Sequence, residues 1–124
     1  VMDAQCDLIQ ALVDDAVKKG AKVLVGGKRA ARAGNFYEPT VVVGVTTEMR
    51  LFQEETFGPV MTIIKVPNDS DEECLKLVNG TSFGLGSCVY TGNQARGLAL
   101  GRQIRSGMLT VNDFGSNYLV QALP

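Results

Sequence analysis

Histidine is absent from the 124 residues, and so is tryptophan. The missing imidazole removes the commonest general base and the commonest metal ligand together. A Ser-His-Asp or Cys-His hydrolase built within these residues is therefore excluded. The three cysteines, Cys6, Cys74 and Cys88, stand far apart, and no Cys-x-x-Cys pair occurs. Neither a structural zinc site nor a disulfide framework is indicated, and reduced, buried thiols in an intracellular, cytoplasmic setting are expected. There is no basic excess: 12 Lys and Arg face 13 Asp and Glu, for a net charge of -1. Nucleic acid is thus not an expected partner. No run approaches the roughly 20 apolar residues of a membrane span. The first residues, Val1-Met2-Asp3-Ala4-Gln5, read neither as a signal peptide nor as a natural start, and the sequence is expected to begin mid-chain.

What is present is ordinary globular material, with 45% hydrophobic residues. Leu8, Ile9, Leu12, Val13, Ala16 and Val17 recur at helical spacing, which predicts a helix from about Asp7 to Lys19 closed by Gly20. Lys22 to Gly27 predicts a short strand. Phe36 to Val45 has strand composition, with ladder pairing expected only after Pro39. Thr46 and Thr47 are candidate caps of a short helical turn through Met49, Leu51 and Phe52. Val60 to Val66 predicts another strand. Ser70 with Glu73 three residues on makes a capping box, and its helix ends at Asn79-Gly80. Ser87 to Thr91 is a predicted strand and Asn93 to Ile104 a predicted helix. Gly97 and Gly101 weaken that helix by about 1 kcal/mol each relative to alanine. Met108 to Val111 predicts a last strand. Strands alternating with helices imply an α/β fold, layered, with a partly parallel sheet flanked by helices. No repeat or linker divides the chain, so one unit is expected.

Three stretches concentrate punctuation. Gln53-Glu-Glu-Thr-Phe-Gly-Pro59 precedes a strand. It reads as a rigid loop presenting Glu55 and Phe57 to a ligand, or as a strand-entry turn with solvated acids. Asn79-Gly-Thr-Ser-Phe-Gly-Leu-Gly86 runs from helix into strand. A phosphate cradle needs the reverse order, so this reads as a helix stop and tight packing turn. Ser106-Gly-Met-Leu-Thr-Val-Asn-Asp-Phe114 ends a strand in polar residues, with Asn117, Tyr118 and Leu119 beyond. Aromatics past the carboxyl end of a strand can shape a small-molecule pocket, or simply cover core. Of the cysteines only Cys6, at the head of the first helix, has an activating context, and no base exists to assist it.

Taken together, these residues look familiar. Glu54-Glu-Thr-Phe-Gly-Pro-Val60 resembles the Glu-x-Phe-Gly-Pro signature of the aldehyde dehydrogenase superfamily. Gly26-Gly27 followed by Gly34-Asn-Phe-Tyr-Glu-Pro-Thr-Val41 is similar to its Gly-Gly, loop, Gly-x-Phe-x-x-Pro-Thr-Val segment. Asn79-Gly-Thr-Ser-Phe-Gly-Leu85 resembles its Asn-x-Thr-x-Tyr-Gly-Leu turn, and Arg105 to Asn112 its Gly-x-x-x-Val-Asn strand. The resemblance spans essentially the whole chain. It implies NAD or NADP as cofactor, with Glu55 on the nicotinamide ribose hydroxyls and Phe57 beside the nicotinamide ring. Glu54 does not match the motif. It implies an aldehyde pocket drawing on Phe114, Tyr118 and Leu119, and a homo-oligomeric parent. It also implies that residues 1–124 form part of a catalytic domain, without the cofactor domain or the nucleophilic cysteine region. The reaction implied for the parent is oxidation of an aldehyde to a carboxylate through a cysteine thioester, and this chain alone is expected to be inactive. A non-catalytic binding or assembly module of the same fold, and an acyl-phosphate reductase of the superfamily, remain as alternatives. The Asn112-Asp-Phe loop ending in Gln121-Ala-Leu-Pro124 suggests a less typical, membrane-associated eukaryotic branch, and a Phe-Gly-Gly continuation is expected after Leu123-Pro124.

Overall fold

The computed structural model describes residues 2–119; the tail tetrapeptide Gln121-Ala-Leu-Pro124 lies outside them. The chain falls into two compact units, Val1–Lys65 and Val66–Pro124, where the sequence reads as one. The division falls just before Pro67-Asn68-Asp69, a stretch short enough to pass for an ordinary turn.

In the first unit, helix α1 (Asp3–Lys18) lies against a three-stranded sheet of β1 (Lys22–Val25), β2 (Thr40–Val43) and β3 (Val60–Ile63). β1 and β2 pair antiparallel, β2 and β3 parallel, with Val42 opposite Val23 on one side and Thr62 on the other. The helix buries Cys6, Ile9, Leu12, Val13 and Ala16. Burial of a Val, Leu or Ile side chain stabilises by about 1.5–3 kcal/mol, so this stripe is a main anchor of the unit. The stripe is narrower than the sequence pattern: Leu8 and Val17 stand at its margins, exposed. Its partners across the sheet are Val23, Val42 and Val60. The opposite sheet face carries Val25, Met61 and Ile63, which are exposed.

The short helix α2 (Arg50–Gln53) links β2 to β3. Thr46 and Thr47 do not cap it. Its N-cap is Met49, which has no side-chain bond to give, and Asp15 of α1 accepts the Arg50 N–H through Oδ2 at 3.0 Å instead. A cap supplied from 35 residues away leaves no local sequence signal.

In the second unit, α3 (Asp71–Val78) and α4 (Gln94–Gly101) accompany a parallel pair, β4 (Gly86–Val89) and β5 (Met108–Val111). Ser70 caps α3 by accepting the Glu73 N–H, one half of the expected box. Asn93 caps α4 by accepting the Arg96 N–H. The two helix glycines have a packing reason. A Cβ on Gly97 would stand 2.8 Å from Val111 Cγ1, and one on Gly101 would collide with Leu109, so α4 lies close on β5. A 3-10 helix, Phe114–Leu119, follows β5. The architecture is α/β with partly parallel sheets, as the sequence pattern predicts.

The thiols differ from expectation in burial. Cys6 is fully buried, while Cys74 and Cys88 are half-buried. Because α1 starts at Asp3, Cys6 sits a turn inside the helix, packed in the cluster of Ile9, Val13 and Tyr37. It is a core residue without access to a substrate. Among the described residues no helix is long and apolar enough to cross a membrane, and no cluster of side chains could hold a metal ion.

Candidate functional site

The turn from Glu54 to Pro59 rests on α1. Gln5 donates its side-chain amide to the Phe57 carbonyl at 2.9 Å. Gly58 faces Ile9 so closely that any Cβ there would collide with the isoleucine side chain. Within the turn, Gly58 N–H donates to the Thr56 carbonyl at 3.1 Å and Val60 N–H to the Gly58 carbonyl at 2.8 Å. Pro59 accepts the Thr40 N–H at 2.8 Å, tying the turn to the start of β2. Its side chains are therefore displayed from a braced backbone.

The two carboxylates of this turn have different fates. Glu54 receives both Nε and Nη2 of Arg50, at 2.6 and 2.9 Å. The guanidinium holds the Glu54 carboxyl below its ordinary range, chiefly through that hydrogen bond. Glu55, one residue on, is exposed and among the described residues has neither a hydrogen bond nor an ion pair. The ring of Phe57 is 70% exposed. An exposed carboxylate and an open aromatic side chain thus lie two residues apart.

The glycine-rich stretch 79–86 is structural, as its order of elements predicts. Asn79 accepts the Arg105 N–H at 2.8 Å and donates to the Gln103 carbonyl at 2.9 Å, and Arg105 reaches back to the Asn79 carbonyl. Gly84 lies directly against the Arg105 carbonyl, with no room for a Cβ. Its own carbonyl accepts the Gly107 N–H at 2.8 Å. Two motifs that are separate in sequence are here one stitched turn.

At the other end of β5, Asn112 adopts a left-handed conformation, φ 62°. Its side chain accepts the Thr91 N–H at 2.7 Å and donates to the Thr91 carbonyl at 2.9 Å. This two-point clamp joins the carboxyl ends of β4 and β5, and Asp113 accepts the Gly115 N–H at 2.9 Å where the 3-10 helix begins. Phe114 and Tyr118 then meet edge to face, ring centres 6.2 Å apart. They line a recess of about 210 Å³ with Leu85, Gly86, Met108 and Asn117. Leu119 is 82% exposed and is not among the lining residues. The structure thus gathers Phe114 and Tyr118, and adds Leu85, Met108 and Asn117, which no local pattern marks: they are brought together by strand register and by the fold-back of the 3-10 helix.

The parallel β2–α2–β3 arrangement with its braced acidic-aromatic turn is that of an α/β protein, and comparison with known proteins gives the family. The model of the aldehyde dehydrogenase family matches residues 1–123. The chain belongs to that family. An aldehyde dehydrogenase-like protein of Schizosaccharomyces pombe is 37% identical over 125 residues, covering 98% of this chain and 24% of the relative. Among solved structures, the aldehyde dehydrogenase PutA from Anabaena variabilis is 33% identical with a TM-score of 0.88, over 98% of this chain and 26% of that one. Betaine aldehyde dehydrogenase from Staphylococcus aureus, solved with NAD+, is 32% identical with a TM-score of 0.82, over 91% of this chain and 23% of that one. The chain therefore spans about a quarter of the length of these relatives.

Proposed function

We propose that residues 1–124 supply the nicotinamide-ribose contact and part of the aldehyde pocket of an NAD(P)-dependent aldehyde dehydrogenase. The observation that carries this reading is the division of labour between adjacent carboxylates: Glu54 is occupied by Arg50, and Glu55, two residues from the exposed Phe57, has no partner among the described residues. A ribose presents two hydroxyl donors, and an ionised carboxylate accepts both. An apolar ring alongside fixes the nicotinamide plane without competing for its polar groups. The acceptor carboxylate and apolar ring present thus fit the cofactor. When bound, the cofactor supplies the acceptor for the hydride that leaves the aldehyde carbon.

The chain's own residues position rather than react. Cys6 is buried in the core, and no base stands in this chain to activate the half-buried Cys74 or Cys88, so the reading assigns the attacking thiolate to other residues of the enzyme that carries this segment. Attack forms a carbon–sulfur bond, loss of hydride leaves a thioester, and water cleaves it to carboxylate and free thiol. Phe114 and Tyr118 would exclude water from the aldehyde's apolar body. The isolated 124 residues should show no turnover with any aldehyde and either cofactor.

The test uses the full enzyme carrying this segment, with single-turnover hydride transfer at saturating cofactor. Glu55→Gln keeps the size of the side chain and removes its charge. It should slow hydride transfer roughly tenfold, the scale of exchanging a charged acceptor for a neutral one. Glu54→Gln should leave the rate unchanged, since that carboxylate already serves Arg50. Equal effects of the two substitutions, or none from Glu55→Gln, would return the turn to a structural role.

A further inference from the structure

Asn117 is 4% exposed, and neither its amide nitrogen nor its amide oxygen has a hydrogen-bond partner among the described residues. Buried polar side chains are paired in the great majority of cases, so an unpaired amide marks a place where something else completes the bonding. The side chain borders the recess between β4, β5 and the 3-10 helix, whose other lining groups are Leu85, Gly86, Met108, Phe114 and Tyr118. Its nitrogen faces Gly86: a Cβ built there would lie 3.5 Å from Asn117 Nδ2 and 3.5 Å from Met108 Cε. The missing side chain at Gly86 is therefore what leaves space beside the amide. The recess is about 210 Å³, and an engineered apolar cavity of about 150 Å³ already accepts benzene.

We infer that Asn117 is the specificity-determining polar group of this recess, which takes an aromatic ring bearing one hydrogen-bonding oxygen, and that the enzyme's substrates are aromatic aldehydes with such a ring substituent. The inference rests on the proposed assignment of Phe114 and Tyr118 to the aldehyde pocket. Two features select this ligand class over a plain hydrocarbon. The Phe114 and Tyr118 rings, standing edge to face, favour another aromatic face against them. The amide offers both an NH2 donor and a carbonyl acceptor, so a phenolic or ether oxygen gains a bond that a hydrocarbon cannot make. A site with a polar group waiting discriminates strongly against the analogue that leaves it unpaired. A charged substituent is disfavoured, because among the described residues no ionic side chain lines the recess.

The experiment is amide and methyl NMR titration of the 124-residue chain with p-cresol and with toluene, using wild type, Asn117→Leu and Gly86→Ala. In wild type, p-cresol should shift the Asn117 side-chain and Phe114 signals and bind about tenfold more tightly than toluene. Asn117→Leu keeps the volume and should bring the two affinities level. Gly86→Ala adds a methyl beside the amide at ordinary contact distance, so the fold should hold while both ligands weaken. If neither ring binds in the recess, the pocket assignment itself fails. If both bind equally in wild type, or if Asn117→Leu retains the preference, the pocket stands and the role of Asn117 is overturned. A chain whose second unit gives no dispersed spectrum also overturns it, since the recess would then not be a property of these residues.

Discussion

Gln5 and Phe57, 52 residues apart, are joined by a hydrogen bond from the side-chain amide of one to the main-chain carbonyl of the other at 2.9 Å. The bond runs from the first turns of α1 to the centre of the acidic-aromatic turn. It ties a helix to the proposed cofactor contact: α1 braces the backbone from which Glu55 and Phe57 project.

Replacing Gln5 by leucine should therefore loosen the turn without unfolding the unit. A single hydrogen bond of this kind contributes about 0.5–1.5 kcal/mol net. Amide hydrogen exchange at Gly58 and Val60 should accelerate up to roughly tenfold, while Leu12 and Val42 keep their protection. Unchanged exchange at Gly58 would mean that the Ile9 contact alone holds the turn.

Gly84→Ala should destabilise the second unit by about 1–3 kcal/mol, the cost of forcing atoms into a filled site. The new methyl would collide with the Arg105 carbonyl, and relief would disturb the Gly107 N–H bond to the Gly84 carbonyl. Gly92→Ala is the control, since nothing stands within 4 Å of a Cβ there. Urea unfolding monitored on signals of residues 66–119 should separate the two variants. Equal midpoints would remove Gly84 from the packing account.

The elements were largely legible because each carries a local signal: Ile9, Leu12, Val13 and Ala16 of α1 at helical spacing, Ser70 three residues before Glu73, Pro39 immediately before the β2 ladder. What was illegible is non-local. Asp15 capping α2, Gln5 holding Phe57 and Asn117 facing Gly86 each join residues separated by at least 31 positions, and no periodicity announces them. The same holds for the candidate site. The motif singles out Glu55 over Glu54, but only the geometry supplies a reason, the Arg50 clamp on Glu54. Leu119, adjacent in sequence to Tyr118, stays outside the recess because the 3-10 helix turns it outward to solvent.

The two units should differ in stability. Every buried hydrophobic side chain among the described residues lies between Cys6 and Leu51, and the parallel pair β4–β5 has only half-buried positions along β5. Parallel strands ordinarily need cover on both faces, and two strands alone are marginal. Native-state hydrogen exchange should show Leu12 and Val42 opening with the highest free energies and Cys88 and Leu109 opening earlier, at lower denaturant. The open sheet face bearing Val25, Met61 and Ile63 should bind a hydrophobic dye. Uniform protection across both units together with no dye binding would contradict this.

Tyr37 sets an alkaline limit on the first unit. Its side chain is 7% exposed, and its hydroxyl donates to Gln10 Oε1 at 3.1 Å. Burial, followed by the negative fields of Asp14, Cys6 and Glu38, pushes the phenol from 10.0 up to about 12. The folded value lies above the unfolded one, so the neutral phenol is the form the fold favours. Its contribution is complete below pH 10 and is lost as pH rises through 12, with stability falling by roughly 2 kcal/mol over that window. Tyr37→Phe should cost about 1 kcal/mol at pH 8, where the hydrogen bond to Gln10 is lost. It should also remove this portion of the alkaline slope, so that wild type and variant converge and then cross as pH approaches 12. Urea unfolding at pH 8, 10 and 11.5 checks both parts. Parallel stability curves for the two proteins would show that the Tyr37 hydroxyl ionises as freely in the folded chain as in the unfolded one.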